Sequence, residues 1–207
     1  MKEQKTILNK NSFVEKLNTD LKNGAVIAFV TDTVWGLGCL PSSEKGVDRI
    51  YEIKDRDRSK PLILMSDNKE KLFPYIKSTN IKAKELADKY FPGALTIVSE
   101  KSDLTPNYIT SGYPTVGIRV PDNKFFKLLC QKIEGGVLAT TSANLSGHSS
   151  AKTYEEAKNS IGSMVDHVFD DYGFMCKGLE STVVLVNDNI KYKILRQGAI
   201  VLDFDSH

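Results

Sequence analysis

The chain has 207 residues, of which 41% are hydrophobic and 26% charged, and its formal net charge is +2. This balance predicts a globular protein, gives no electrostatic argument for nucleic-acid binding, and contains no apolar run long enough for a membrane helix. The three cysteines form no C-x-x-C pair, so we expect free thiols rather than a zinc site or disulfides. A polar N-terminus without a signal region, and the lack of a Pro/Gly/Ser linker, predict a cytoplasmic protein with one domain over 1–207 and a motif-bearing core over about 24–200.

Short apolar runs rich in β-branched residues recur along the chain and predict buried strands. Helical patterns alternate with these runs, which indicates an α/β or α+β domain around one twisted sheet. The predicted strands cover 25–30, 61–65, 95–98, 116–120, 137–140, 165–169 and 182–186, and a more polar run at 191–195 predicts an edge strand.

Capping residues and apolar periodicity place the main helices. One helix is expected to be capped by Ser42 or Ser43, and another by Asp122. Residues 67–70 and 153–156 have the spacing of capping boxes. The apolar positions are Val47, Ile50 and Tyr51 in the first helix, Ala83, Leu86, Ala87 and Tyr90 in a second that stops at Pro92, and Phe125, Phe126, Leu129 and Ile133 in the third.

The segment 31–38, TDTVWGLG, follows the first predicted strand. Thr31 and Thr33 offer hydroxyl groups, and Gly36 and Gly38 would let the backbone approach a ligand closely. The segment is neither a dinucleotide-binding fingerprint nor a Walker A sequence. A ligand loop and a plain glycine turn between strand and helix are both compatible with these residues.

The basic run 54–60 contains Lys54 and Arg56 one residue apart and ends at Lys60. Lys54 lies seven residues after Val47, so it extends the inward face of the first predicted helix. Arginine offers a planar fork and lysine a compact charge, and both suit phosphate groups. The alternative interpretation is a solvated charged loop.

Arg119 lies inside the apolar strand segment 115–121. A buried guanidinium needs an anion, because an unpaired buried charge is strongly unfavourable. Its partner is either a structural Asp or Glu, or the carboxylate of a ligand, which matches the bidentate fork. The sequence alone leaves both open.

Residues 140–147, TTSANLSG, concentrate hydroxyl and amide groups at the end of another predicted strand. Strand ends are frequent ligand positions in α/β sheets, although a polar turn is the simpler interpretation. Ser181 and Arg196 mark two further strand ends with the same two interpretations. The three histidines are scattered, so we expect no histidine-based metal site or catalytic triad.

Taken together and in order, these segments resemble the YrdC/TsaC family of threonylcarbamoyl-AMP synthases. The resemblance implies a YrdC-like α/β fold in one domain, with a twisted mixed or parallel sheet flanked by helices and a large cleft, as in the short form of the family. The matching segments are 31–38, 50–64, 91–98, 115–121, 141–147, 181–184 and 196–200.

The same resemblance implies a nucleotidyltransferase activity. ATP, L-threonine and bicarbonate would be the substrates, Mg²⁺ would assist, and the products would be L-threonylcarbamoyl-AMP and pyrophosphate. The adenylate would feed threonylcarbamoyladenosine modification of tRNA, with transfer by separate partner proteins. Weak tRNA contact and no membrane association are expected.

Site residues follow by matching positions to the family. Lys60 and Met65 depart from it, since some members have Asn and a threonine-contacting His there. No protein side chain is expected to ligate a metal. The resemblance implies ATP binding by Lys54, Arg56, Lys60, Thr115, Ser142, Asn144, Ser150 and Arg196, with Lys54, Arg56, Ser142 and Asn144 as the catalytic set, and threonine binding by Thr31, Thr33, Arg119, Thr140 and Ser181.

Two other functions are compatible with parts of this sequence. A carbamoyl-phosphate-processing domain of the hydrogenase-maturation type shares the expected fold, but it normally lies within a much longer chain. A non-enzymatic RNA-binding module would show salt-sensitive RNA affinity and no need for threonine. The net charge of +2 weakens the second alternative.

Overall fold

The structure is a computed structural model that describes residues 7–187 and 192–202. In this part of the chain, nine strands form one sheet in the order β7-β1-β2-β6-β3-β5-β4-β8-β9. The strands are β1 (Ile27–Phe29), β2 (Gly36–Cys39), β3 (Ile63–Ser66), β4 (Leu95–Glu100), β5 (Thr115–Arg119), β6 (Val137–Ser142), β7 (His167–Val168), β8 (Thr182–Leu185) and β9 (Lys193–Arg196).

The sheet is mixed, which is one of the two arrangements that the family resemblance implied. The pairs β1–β7, β3–β5 and β4–β8 are parallel, and the remaining neighbours are antiparallel. Each predicted apolar run overlaps one of these strands. The run at 191–195 is confirmed as an exposed edge strand from Lys193, whereas Lys191 lies outside the described residues.

Strand β2 was not predicted, and its glycines explain why. It has none of the β-branched residues that mark the other strands, and its segment was interpreted as a ligand loop or a turn. A Cβ at Gly36 would lie 2.9 Å from Cε2 of Phe29, and one at Gly38 would lie 3.0 Å from Cε1 of the same ring. The glycines therefore make room for a buried aromatic ring on the neighbouring strand.

Six α-helices accompany the sheet in the described residues. The predicted helix that stops at Pro92 is confirmed as α3. Helix α1 was not predicted, because only two of its residues, Leu17 and Leu21, are buried. Short 3₁₀ turns cover Ile7–Asn9, Lys69–Lys71, Phe73–Tyr75 and Glu134–Gly136. The helices are α1 (Asn11–Lys22), α2 (Glu44–Lys54), α3 (Ile81–Tyr90), α4 (Asn107–Thr110), α5 (Lys124–Lys132) and α6 (Tyr154–Ile161).

The helix caps agree with the predictions in part. Ser43 caps α2 by accepting from Gly46 N at 3.1 Å, as expected. The prediction of Asp122 as a cap was wrong by one residue: the Asn123 side chain accepts from Phe126 N, and aspartate and asparagine cap equally well.

The two predicted capping boxes are both incomplete. Thr153 Oγ1 accepts from Glu156 N at 3.1 Å, but the Glu156 carboxylate accepts from Lys152 N rather than from its capping partner. At 67–70 the capping side chain is Asn68, which accepts from Glu70 N at 2.9 Å, and the segment that follows is a 3₁₀ turn.

The core contains the predicted apolar faces of the helices packed against the sheet. Phe29 of β1 and Phe126 of α5 meet with ring centroids 5.1 Å apart. Cys39 and Cys130 are buried and Cys176 is half-buried, all three as free thiols. Burial raises the pKa of the Cys39 thiol to about 12, so this thiol is unreactive at neutral pH. None of the described helices has the length and apolar character needed to cross a membrane.

Candidate active site

One cavity of about 180 Å³ gathers residues from segments that lie far apart in the sequence. The sheet register explains part of this convergence, since Ser142 at the end of β6 lies opposite Gly36, and Thr140 lies opposite Ile63. The predicted site residues that line the cavity are Thr31, Thr33, Arg56, Arg119, Thr140, Ser142, Ser181 and Arg196.

Arg119 has a structural acidic partner and also lines the cavity. It is 2% exposed, and its Nη2 donates to Asp32 Oδ1 at 2.5 Å. Its Nη1 donates to Thr33 Oγ1 at 2.8 Å, and Nε donates to the Gly93 carbonyl at 3.0 Å. Burial lowers the pKa of Arg119, and the Asp32 charge opposes that shift. These bonds use three of the five guanidinium N–H groups, so two can still meet a ligand at the cavity wall.

Lys54 is buried beneath the loop that follows β6. As the last residue of α2 it is 1% exposed, so the predicted inward orientation is confirmed. Its ammonium donates to the carbonyl oxygens of Ser142 and Asn144 at 2.5 and 2.6 Å, and to Asn144 Oδ1 at 3.2 Å. Burial lowers the pKa of Lys54 to about 7; the Arg56 charge also lowers this pKa, and the Glu180 charge opposes the shift.

Asn144 completes this loop cluster rather than lining the cavity. Its Oδ1 accepts from Ser142 Oγ at 2.5 Å, and its amide nitrogen donates to the carbonyls of Leu145 and His148 at 2.8 and 2.7 Å. The structure therefore brings the predicted catalytic residues together, with Ser142 on the cavity wall and with Lys54 and Asn144 fixing the loop behind it.

The basic run 54–60 divides into two parts. Asp55 adopts a left-handed conformation, with φ of 47°, and ends α2 just before Arg56. Arg56 lines the cavity and donates to the carbonyls of Lys60 and Pro61, both at 3.1 Å. In contrast, Arg58 pairs with an aspartate on the surface, and the Lys60 side chain is exposed. The solvated-loop interpretation therefore holds only for the second part.

Arg196, Glu180 and Ser150 form a polar chain along another part of the site. Arg196 Nη1 pairs with Glu180 Oε2, and Ser150 Oγ donates to Glu180 Oε1 at 2.8 Å. Arg196 also donates to the Ser181 carbonyl through Nε and Nη2, at 3.2 and 2.9 Å. Ser181 Oγ lies 2.8 Å from the hydroxyl of Thr96.

Some predicted residues lie outside the cavity lining, and some lining residues were not predicted. Thr115 starts β5, four residues before Arg119, which corresponds to about 13 Å along a strand. Glu180 and Thr96 line the cavity without having been singled out. Both were detectable by position, because Glu180 precedes the matching segment 181–184 and Thr96 lies within 91–98. The remaining predicted residues outside the lining are Lys54, Lys60, Asn144 and Ser150.

The described residues contain no group of three or more His, Cys, Asp or Glu side chains arranged to hold a metal ion. Glu180, a carboxylate on the cavity wall, is already bonded to Arg196 and Ser150. His167 packs against the ring of Phe169, with centroids 4.3 Å apart, and His207 lies outside the described residues.

Comparisons with known proteins agree on one family. The Sua5/YciO/YrdC family model, described as "Telomere recombination", matches residues 19–198. A threonylcarbamoyl-AMP synthase of Pseudoalteromonas translucida is 34% identical over 166 residues, which cover 79% of this chain and 88% of that protein.

Two solved structures extend the comparison. The structure of P. abyssi Sua5 complexed with L-threonine superposes with a TM-score of 0.83 at 31% identity, covering 91% of this chain and 55% of that chain. This chain thus spans little more than half of the Sua5 protein. T. kodakarensis HypF superposes with a TM-score of 0.74 at 19% identity, covering 89% of this chain and 24% of that chain, and this likeness shows the fold alone.

Proposed function

Because the chain belongs to the Sua5/YciO/YrdC family, we propose that it is a threonylcarbamoyl-AMP synthase, which makes L-threonylcarbamoyl-AMP and pyrophosphate from ATP, L-threonine and bicarbonate. The observation that carries the proposal is the cavity, where three guanidinium groups and a set of side-chain hydroxyls converge. Relatives named threonylcarbamoyl-AMP synthase and the L-threonine complex of a Sua5 protein with the same fold support it.

Threonine would bind between Arg119 and the hydroxyls around it. Asp32 and Thr33 hold the guanidinium in place before the ligand arrives, and the two remaining N–H groups suit a carboxylate. The hydroxyls available for the ammonium and hydroxyl groups of threonine belong to Thr31, Thr33, Thr140 and Ser181.

The ATP phosphates would meet Arg56, Ser142 and Arg196 on the cavity wall. Lys54 and Asn144 would act from behind the wall by fixing the loop after β6, and the Lys54 ammonium would also add positive charge there. Ser150 would be positioned through Glu180. Roles for Thr115 and Lys60 stay predictions, since neither lines the cavity.

The chemistry requires positioning and charge stabilisation rather than a nucleophile from the protein. The threonine ammonium first loses a proton to solvent, and the resulting amine and bicarbonate form a carbamate with loss of water. A carbamate oxygen then bonds to the α-phosphorus of ATP while the bond to the pyrophosphate oxygen breaks. Guanidinium groups fixed around the phosphates stabilise the charge that develops on the leaving pyrophosphate.

Mg²⁺ would be carried by the phosphates of ATP, where it would offset their negative charge. The described residues contain no group of three or more His, Cys, Asp or Glu side chains that could hold an ion, and the proposal uses no protein-bound ion in any step. The partner proteins that transfer the product, weak tRNA contact, a cytoplasmic location and a single domain over 1–207 stay predictions.

A pyrophosphate-release assay tests this function. We expect release that depends on ATP, threonine and bicarbonate together, and its loss in Arg56→Ala by about 100-fold or more. Arg58→Ala is the matched control, because Arg58 lies two residues away in a surface ion pair and should leave the rate unchanged.

Other outcomes would identify the alternatives. Release without threonine, or normal turnover by Arg56→Ala, contradicts the proposal. Turnover of carbamoyl phosphate would favour a hydrogenase-maturation type of reaction. Salt-sensitive RNA binding together with no pyrophosphate release would favour an RNA-binding module.

A further inference from the structure

Glu180 contributes a negative charge to a cavity wall that is otherwise positive. Of the described lining residues it alone is acidic, whereas Arg56, Arg119 and Arg196 are cationic. A carboxylate beside a site for a triphosphate repels the ligand unless its charge is offset, so its presence there needs a physical reason.

Both oxygens of the Glu180 carboxylate are used. Oε1 accepts from Ser150 Oγ at 2.8 Å, and Oε2 pairs with Nη1 of Arg196. Ser150 belongs to the loop between β6 and α6, and Arg196 ends the edge strand β9. The carboxylate thus joins two segments that are both proposed to contact ATP.

The backbone beneath this carboxylate is fixed as well. The Glu180 carbonyl accepts from Ala199 N at 2.8 Å. A Cβ at Gly198 would lie 2.4 Å from the same carbonyl oxygen, so the turn after β9 packs directly on it. The carboxylate therefore projects from an anchored position rather than from a mobile loop.

Arg196 is held from two sides. Glu180 fixes Nη1, while Nε and Nη2 donate to the Ser181 carbonyl. Its side chain is nevertheless 46% exposed. A long, half-exposed side chain would sample several rotamers without such bonds, and ordering them on ligand binding would weaken affinity.

We propose that Glu180 is a positioning residue that holds Arg196 and Ser150 ready for the phosphates of ATP. The proposal rests on the nucleotide site of the proposed function. Two effects compete: repulsion between Glu180 and phosphate, and the orientation of Arg196. The positive charge of Arg196 offsets the repulsion between Glu180 and phosphate. The bonds that orient Arg196 exist before the ligand arrives, so orientation outweighs repulsion.

Glu180→Gln separates the two effects, because it keeps an acceptor for Ser150 and removes the charge that holds Arg196. We expect the KM for ATP to rise about 5- to 10-fold, with kcat and the KM for threonine within about twofold of wild type. Glu155→Gln on the exposed face of α6 makes the same charge change and should alter nothing. An unchanged KM for ATP overturns the proposal, and a lowered one shows that repulsion dominates instead.

A double-mutant cycle tests whether Glu180 acts through Arg196. In an Arg196→Gln background, Glu180→Gln should raise the KM for ATP by less than about twofold, because the residue it orients is gone. Equal fold-changes in both backgrounds overturn the proposal.

Calorimetric titration of ATP, without turnover, keeps this test separate from the proposed function. A wild-type protein that binds ATP but releases no pyrophosphate contradicts the function, while the ratio of variant to wild-type Kd still decides the role of Glu180. A wild-type protein that binds no ATP contradicts both.

Discussion

Two arginines on one cavity wall each pair with a carboxylate, and the two pairs differ mainly in exposure. The side chains of Arg119 and Asp32 are 2% and 8% exposed, whereas those of Arg196 and Glu180 are 46% and 38% exposed. The first arginine ends the interior strand β5, and the second ends the edge strand β9. The same two functional groups therefore work in surroundings of very different polarity.

That difference assigns the pairs different roles. Removing one partner of a buried ion pair leaves the other charge without compensation in a medium of low polarity. An exposed pair loses little, because water replaces the missing partner. We therefore expect the buried pair to stabilise the fold as well as to serve the proposed threonine site, and the exposed pair to orient groups for a ligand with little effect on stability.

The largest expected effect comes from breaking the buried pair. Asp32→Asn keeps the shape of the side chain but leaves the Arg119 charge unpaired, and we expect the free energy of unfolding to fall by about 3–5 kcal/mol. Glu180→Gln makes the same chemical change in the exposed pair and should cost about 1 kcal/mol or less. Urea unfolding of both variants measures the difference. Equal losses of stability would contradict the division of roles.

Lys54 sharpens the comparison, because it is a buried cation held by carbonyl oxygens instead of a carboxylate. Its pKa is lowered by burial to about 7, so the ammonium that binds the loop after β6 is lost as the pH rises through about 7. We expect kcat/KM for ATP to fall over that range. ATP and bicarbonate also titrate near neutrality, so the pH profile of the wild type is compared with those of two variants. The fall in kcat/KM that is due to Lys54 should be absent in Lys54→Met and present in Lys60→Met.

Stability should change in the opposite direction. The pKa of Lys54 lies below the ordinary value of 10.5, so between about 7 and 10.5 the unfolded chain binds more protons than the folded one. This group's contribution to stability therefore rises with pH in that window. Urea unfolding at pH 6 and pH 9, compared between wild type and Lys54→Met, measures it. An activity loss that parallels a loss of stability would show that unfolding, not loop charge, is responsible.

Sequence patterns predicted the parts of this molecule that depend on neighbouring residues. Runs of β-branched residues marked buried strands, because both faces of those strands are covered. Two helix caps show the limit of such reasoning. Ser43 was predicted correctly, whereas the cap at Asn123 was placed one residue too early, because the neighbouring Asp122 is an equally good capping residue. Strand β2 was missed because its glycines make room for the ring of Phe29 on another strand, and the local sequence does not reveal that contact.

The site was less predictable, because its bonds join distant positions. The family resemblance supplied eight of the eighteen residues that line the cavity, but the residues alone could not choose a partner for Arg119. Asp32, the partner in the structure, lies 87 positions away. Glu180 carries no motif of its own, and its role appears only when β9 and the loop after β6 are placed beside it.

The smallest expected effect concerns the hydrogen bond from Ser150 to Glu180, the acidic member of the exposed pair. Ser150→Ala removes one hydrogen bond from a neutral hydroxyl to Glu180 and leaves the ion pair with Arg196 intact, so the KM for ATP should rise only about two- to threefold. Ser149→Ala, at the exposed neighbouring position, is the matched control and should have no effect. A rise as large as that of Glu180→Gln would mean that the contact between Ser150 and the nucleotide, rather than the orientation of Arg196 by Glu180, supplies most of the effect on ATP binding.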